Sequence, residues 1–361
     1  TDYFSIFTFM FNRFRNILFV PSEGSNLNGT LYELGESGGY QNKSVVLIPY
    51  RNSQIKKTES VFFKIKNQYE IRDYHYVLEL ESKIELVART SKEEYIKKIL
   101  KLKEHIQKGD IYEVNYCIEF FVNDVTIDPL SVFTRLSSLT KAPYCALLKL
   151  GDEFTICGSP ELFLKKENNF IYSKPIKGTI RRGVNPAEDE KLKNTLYKSL
   201  KERTENVMAV DVVRNDLSQF AAKGSVRVNK LYNIETFETV HQMVSTVSCN
   251  IKPDTSFESI VEATFPMASM TGAPKLRAMQ LIDEYENFER KNYSGTMGII
   301  EENGDFTLSV IIRSIFYNQK TKHISISVGG AITYLSEPEK EYEECLLKAG
   351  AMMKALGAEV I

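Results

Sequence analysis

Runs of aromatic and β-branched residues, broken by short Gly, Asn and Ser clusters, fill the first 88 residues and return after residue 110; this strand-and-turn grammar constrains the fold more than anything else in the chain. The early runs are Tyr3 to Phe11, Ile17 to Val20, Ser44 to Ile48, Ser60 to Ile65 and Tyr74 to Leu80. Further on, IYEVNYCIEFFV, YCALLKL, FTICGSPELFLKK and FIYSKPIKGTI read as strands, as do Thr307 to Tyr317 and His323 to Thr333. Helical segments lie between them. Ser91 and Glu94 make a capping box, and Tyr95, Ile99, Leu102 and Ile106 then recur at helical spacing until Gly109 ends the pattern. A helix-rich stretch is expected from about 187 to 218 and a last helix from about 338 to 356. Strands and helices do not alternate strictly and several strands are joined by tight turns, so the chain reads as a mainly antiparallel α+β protein. A β-rich N-terminal part, residues 1–88, is expected to be integrated with residues 89–361, because no linker, repeat or low-complexity tract divides them.

Charge narrows the partners. A net charge of −1 with 26% charged and 43% hydrophobic residues supports a large core and provides no chain-wide attraction to nucleic acid or an anionic membrane. No basic run with interleaved aromatics supplies a local one, so partners are expected to be small molecules or proteins, not nucleic acid. The opening YFSIFTFMFNRFRNILFV is apolar, but Ser5, Thr8, Asn12, Arg13, Arg15 and Asn16 interrupt it well short of the roughly 20 apolar residues a membrane span needs. It reads as core strand. The chain starts at Thr1 without methionine, and upstream native residues are expected. Five scattered cysteines, with no C-x-x-C pair, point to neither a disulfide framework nor a thiolate zinc site, and a reducing cytoplasm is the expected location.

Two E-x-x-E pairs are candidates for chemistry: Glu202 with Glu205 in KERTENVMAVDVVRND, and Glu341 with Glu344 in EPEKEYEECLLKAG. Residues three apart share a helix face, and the ordinary explanation is a solvated acidic face. In the first pair, however, Ala209, Val212 and Val213 continue the carboxylate side, and the helix looks apolar nearly all round from Val207 onward. A carboxylate stripe running into a buried helix is costly unless a cation or hydrogen bonds compensate. Two such pairs could supply oxygen ligands to a hard cation, and magnesium takes one or two carboxylates plus waters and a substrate oxygen.

In FTICGSPELFLKKENNFIYSKPIKGTI two strands flank a Glu167-Asn168-Asn169 turn. If Lys166 faces Phe170, Glu161 falls opposite Pro175, and Glu161 and Lys177 become diagonal neighbours on one face, roughly 7–8 Å apart. The competing explanation is a weak surface pair. Pro175 and Gly178 bracketing the lysine favour a ligand site, since proline removes a ladder donor and glycine admits a ligand to the backbone. SMTGAPK (Ser269 to Lys275) and SVGGAIT (Ser327 to Thr333) could offer backbone N–H groups to an anion, though each alone is a weak signal and an ordinary turn is the commoner reason. His241 in VHQMVSTV sits in an apolar setting and reads as a hydrogen-bonded core residue.

From Thr90 to Leu356 the chain resembles the chorismate-utilising enzymes, a family that includes the anthranilate, aminodeoxychorismate, isochorismate and salicylate synthases. GSPELF, PIKGT, ERTENVMAVDVVRNDL, HQMVSTV, TGAPKLRAMQLIDE, NYSGTMG, SVIIRS and EYEECLLKAG occur in family order. The resemblance implies an anthranilate-synthase-like fold, two large, mainly antiparallel β-sheets packed face to face with helices outside. It also implies a Mg2+ ion held by Glu205 and Glu344, with Glu202 and Glu341 holding its waters. Arg313 and Tyr293, with backbone around Thr271, Gly272, Gly329 and Gly330, match positions that grip the substrate carboxylates. Gly178, Thr179, His241 and Lys348 fall at further substrate-binding positions. Glu161 matches the general acid that protonates the departing 4-hydroxyl of chorismate. Lys177 matches a lysine used as a covalent nucleophile by members that form 4-amino-4-deoxychorismate for p-aminobenzoate and folate synthesis, and desolvation is expected to lower its pKa. Anthranilate-forming members carry alanine there. Isochorismate and salicylate synthases use a lysine where this chain has Glu113, which argues against both. Ala331 replaces a usual glycine and Leu335 a common aspartate. LELES at Leu78 to Ser82 lies too close to the Ser91 helix to count as a feedback motif. No cysteine lies in a glutaminase nucleophile sequence, so the ammonia is expected from solution or from a glutamine amidotransferase subunit. The alternatives are anthranilate formation and a non-catalytic chorismate-binding regulator.

Overall fold

The computed structural model of the chain describes residues 10–22, 28–38, 43–50, 60–72 and 83–361. Three of its strands obey period two so strictly that each feeds two cores. In Asn16–Pro21, Ile17 and Phe19 enter one core and Leu18 another. In Tyr144–Leu150, Cys145 and Leu147 join the first, and Ala146 and Leu148 the second. In Ser44–Ile48, Val45 and Leu47 join that same second core, while Val46 and Ile48 enter a third. Strands apolar on both faces must be covered twice. The second core is therefore a dry layer between two faces of sheet, closed by Tyr32, Phe63, Cys157 and Met297.

Helices cover the outer faces. Lys92–Gln107, Pro129–Thr140, Lys275–Tyr285 and Pro338–Leu356 bury Tyr95, Ile99, Phe133, Leu281 and Met352 on one side. Leu200–Ser218 and Phe257–Thr264 bury Val210, Val213, Leu217, Ile260 and Val261 on the other. Each fully buried aliphatic or aromatic side chain of this kind stabilises by about 1.5–3 kcal/mol.

Hydrogen bonds join the two faces into one network. The long strands Gly29–Gly38 and Val61–Ile71 pair with each other. The first continues through Asn16–Pro21 to Tyr144–Leu150, and the second through Ser44–Ile48 to Thr296–Ile300. Among the described residues every strand pairing is antiparallel except the short one between Ala358–Val360 and Ile84–Ala88.

The capped helix forms as expected, with the Ser91 side chain accepting from the Glu94 N–H and Gly109 at φ 83° beyond its end. Other expectations need correction. Residues 10–13 of the opening run form a helical turn, not strand, and residues 1–9, all of Tyr74 to Leu80 and all of LELES lie outside the described residues. The helical stretch is two helices, Pro186–Lys198 and Leu200–Ser218, because Ser199 is extended and caps the second by accepting from Glu202 N–H at 3.4 Å. That second helix is not buried all round: Val207, Asp211 and Arg214 are exposed, and only the stripe Glu205, Ala209, Val213, Leu217 and its flanks is covered. The hairpin register is off by one. Phe170 pairs with Glu167, not Lys166, because the turn needs only Asn168 and Asn169, with Asn168 at φ 55°. The run from Thr307 to Tyr317 splits into Phe306–Val310 and Ser314–Asn318, broken by Arg313 at φ 51°.

Candidate active site

Lys177 owes its position to a backbone irregularity. The strand Ile176–Arg181 pairs with Val240–Asn250 through Ile176↔Val244 and Thr179↔Gln242, so one extra residue is accommodated between them at Lys177-Gly178. Such a bulge with glycine in the left-handed region re-aims its side chains, and Gly178 has φ 80°. A Cβ on Gly178 would come within 2.8 Å of Glu202 Oε2, so glycine also lets the first turn of Leu200–Ser218 close over the lysine. Lys177 is 7% exposed.

Glu161 sits between the strands Glu153–Ser159 and Leu162–Glu167, its N–H donating to Ser159 Oγ and its carbonyl accepting from the Val310 N–H. Burial pushes its carboxyl up to about 7, against the opposing pull of Ser269 and Lys177. Lys177 behaves differently from the expectation for a desolvated amine. Burial pulls its pKa down, but the carboxylates of Glu113, Glu205 and Glu161 outweigh it, and the net shift is upward. The largest of those partners is in direct contact, with Lys177 Nζ 2.5 Å from Glu113 Oε1.

A cavity of about 680 Å³ opens beside these residues. Of the residues singled out from sequence, Glu161, Lys177, Gly178, Thr179, Glu202, Glu205, Tyr293, Arg313, Gly329, Glu341, Glu344 and Lys348 line it. Four do not. His241 is 1% exposed and uses both ring nitrogens on Asp189 and Thr236, each at 3.0 Å, as its apolar setting suggested. Thr271 is fully buried with its hydroxyl donating to the Met267 carbonyl. Gly272 packs so tightly that a Cβ would meet the Glu113 carbonyl oxygen at 2.2 Å. Gly330 lies behind the lining, where a Cβ would approach Glu341 Oε2 at 3.4 Å.

Arg313 lies on the cavity wall in the break between two strands, and among the described residues its guanidinium makes no ion pair. Lys348 is pinned by donating to the Gly329 carbonyl and pairing with Glu344, both at 2.8 Å.

Sequence reasoning missed Asn115, Lys201 and Gln242, all on the lining, whereas Ser269, also on the lining, begins the SMTGAPK stretch noted for its backbone. Lys201 carried a signal, being four residues before Glu205 on one helix. Glu113 and Asn115 carried another, since with Glu119 they put three polar residues on one face of a mostly apolar strand, Glu113–Val122.

Among the described residues no three His, Cys, Asp or Glu side chains make a ready-formed metal cage. The carboxylates nonetheless gather round a cation, because Lys201 Nζ is 3.0 Å from Glu341, 3.8 Å from Glu344 and 3.9 Å from Glu205. Burial pushes Glu205 up to about 8 despite Lys177, and its Oε1 is buried without a hydrogen bond. Glu344 is held below the usual carboxylate range, since Lys348 and Lys201 outweigh its burial. The donor set fits a hard divalent cation, which needs only one or two carboxylates when a ligand and water complete its shell.

The architecture is that of anthranilate synthase component I from Streptococcus pneumoniae TIGR4, whose structure superimposes with a TM-score of 0.75 at 20% identity over 93% of this chain and 90% of that one. The family model for chorismate binding enzymes matches residues 47–354, and the chain belongs to that family. It is 34% identical to "Aminodeoxychorismate synthase component 1" of Bacillus subtilis (strain 168), over 88% of this chain and 68% of that protein. It is 41% identical to "Aminodeoxychorismate synthase, chloroplastic" of Arabidopsis thaliana over 76% of this chain. The match spans only 30% of that longer relative.

Proposed function

We propose that this chain is the synthase component that converts chorismate and ammonia to 4-amino-4-deoxychorismate, in the cytoplasm, with ammonia from solution or from a glutamine amidotransferase subunit. The observation that carries the reading is a buried lysine, Lys177, and a buried carboxyl, Glu161, lining one cavity. Relatives carrying that name support it. Among the described residues no helix is long and apolar enough to cross a membrane.

In this reading Arg313 binds a substrate carboxylate bidentately, and Tyr293 completes the wall against which the ring rests. Glu205 and Glu344 would hold Mg2+, with Glu202 and Glu341 in support. When bound, such an ion would supply the positive charge that a substrate carboxylate needs beside four glutamates. Neutral Lys177 attacks C2 as the 4-hydroxyl departs, Glu161 protonates the leaving oxygen, and ammonia at C4 then displaces the lysine. An amine that fills the space at C2 blocks direct attack by ammonia there, which favours this product over anthranilate.

The test is incubation with chorismate, Mg2+ and an ammonium salt, with the product identified by mass and fluorescence. A product with the mass of aminodeoxychorismate is expected. Strong anthranilate fluorescence without an added lyase would overturn the reading.

A further inference from the structure

Among the described residues Glu113 is the one carboxylate in direct contact with Lys177 that the reaction above does not use. It begins the strand Glu113–Val122 where that strand pairs with Gly272–Ala273. Gly272 packs so close to it that a Cβ there would lie 2.2 Å from the Glu113 carbonyl oxygen. The side chain is 3% exposed; Oε1 accepts from Lys177 Nζ, and Oε2 is buried without a hydrogen-bond partner. The charged groups facing Lys177 are Glu113, Glu161 and Glu205, with Glu202 and Glu344 further off. Glu113 alone among them makes an ion pair with the lysine within 4.0 Å.

A nucleophilic amine needs its lone pair, and the resting pair is an ammonium on a carboxylate. Sending that proton to bulk water would leave a buried carboxylate with no counter-charge, a costly state. Moving it across the hydrogen bond leaves the net charge of the pair unchanged, so no buried charge is left without a partner.

We propose that Glu113 is the proton acceptor that makes Lys177 nucleophilic. The proton passes from Nζ to Oε1, and the freed electron pair forms the C–N bond to the ring. The ring π electrons shift, the C–O bond to the 4-hydroxyl breaks, and that oxygen leaves as water with the Glu161 proton. Ammonia then bonds at C4, the C–N bond to lysine breaks, and Nζ departs as a neutral amine that recovers its proton from Glu113. The new ammonium on the ring returns one proton to Glu161. The sum is chorismate plus ammonia giving aminodeoxychorismate plus water, with every protein group restored.

This assignment rests on the reaction proposed in the preceding section. The test compares wild type with Glu113→Gln, which keeps shape and an acceptor oxygen but takes no proton. Turnover is measured from about pH 6 to pH 9 at fixed free ammonia, using the magnesium-loaded protein. Wild type is expected to show no rising limb. In Glu113→Gln the lysine must lose its proton to solvent, so kcat near pH 7 is expected to fall by roughly thirtyfold or more. Below about pH 7 it should climb about tenfold per pH unit, and above that the loss of the Glu161 proton should level the climb, so the variant lacks the alkaline decline of wild type, with the chorismate KM within a few-fold of wild type. A Gln variant with wild-type kcat and a parallel profile would overturn the assignment. Wild type that forms no aminodeoxychorismate would instead overturn the reaction, before any variant is made. Should Glu113→Gln fail to fold, Glu113→Asp retains a carboxylate within reach and is expected to be slower without a rising limb. A rising, lysine-like limb in that variant would count against Glu113.

Discussion

At one end of the cavity Lys177, Glu161 and Glu113 are 7%, 6% and 3% exposed, whereas at the other the side chains of Lys201, Glu344 and Lys348 retain 35%, 41% and 28% of their surface. Both ends are glutamate and lysine. They differ in how far these side chains reach water, although Glu205 and Glu341, which also face Lys201, are themselves 6% and 3% exposed. At the buried end desolvation brings a carboxyl to about 7, within reach of proton exchange near neutrality. At the open end Glu344 stays below the usual carboxylate range because two lysines stand beside it, so it remains an anion that attracts cations. One end is suited to moving protons, the other to holding charge. Variants at each end should therefore separate chemistry from binding.

The largest separation is expected from Lys177→Arg, which keeps the positive charge but is effectively never deprotonated. Product formation should fall about a thousandfold or more, with chorismate binding by fluorescence titration changed far less. Near wild-type turnover to the same product would make the buried end merely electrostatic. Lys177→Ala tests the same point through product identity, since the opened space at C2 should divert ammonia to the anthranilate-type product.

The next effect belongs to the open end. Thorough chelation should abolish turnover and Mg2+ restore it, and Glu344→Gln should weaken Mg2+ by roughly 10–100-fold in calorimetry while raising the KM for chorismate. Unchanged metal affinity in that variant would remove Glu344 from the ligand set.

A smaller effect comes from pH. A carboxyl pushed up to about 7 is protonated below that value and loses its proton above it, so the general acid fades as pH rises. The rate at fixed free ammonia should decline by up to about tenfold per pH unit on the alkaline side. A wild-type profile without an alkaline decline near neutrality would exclude Glu161 as the acid.

The least change is expected for Gly178→Ala, at the join of the two ends. The left-handed backbone at φ 80° costs an L-residue about 1–2 kcal/mol, and the methyl would press on Glu202. A lower melting temperature should register this, and an unchanged one would show that the bulge relaxes.

Much of this was legible because it depends on neighbours in sequence. The Ser91 cap, the Gly109 stop, the last helix and the alternation of Val45, Val46, Leu47 and Ile48 are local consequences of hydrogen-bond geometry and side-chain period. The two carboxylate pairs and the lysine in PIKGT were visible as polar groups in unsuitable company. The hairpin register was misjudged because a two-residue and a three-residue turn differ by one position that either sequence reading accommodates. The helix from Leu200 was judged buried all round because Val207 and Val212 are apolar, yet hydrophobicity does not say which face meets solvent.

What the sequence determined by itself is the chemical repertoire and the local elements: which segments are strand or helix, and which acids and amines are held in apolar company. Only the tertiary structure decided who faces whom. Lys177 meets Glu113 across 64 positions and Lys201 meets Glu341 across 140, contacts set by a β-bulge and by helix packing on the sheet. The direction of the Lys177 shift followed from that meeting. Desolvation is a property of burial and could be anticipated, but the opposing field of three carboxylates exists only once the strands and the helix that carry them have come together.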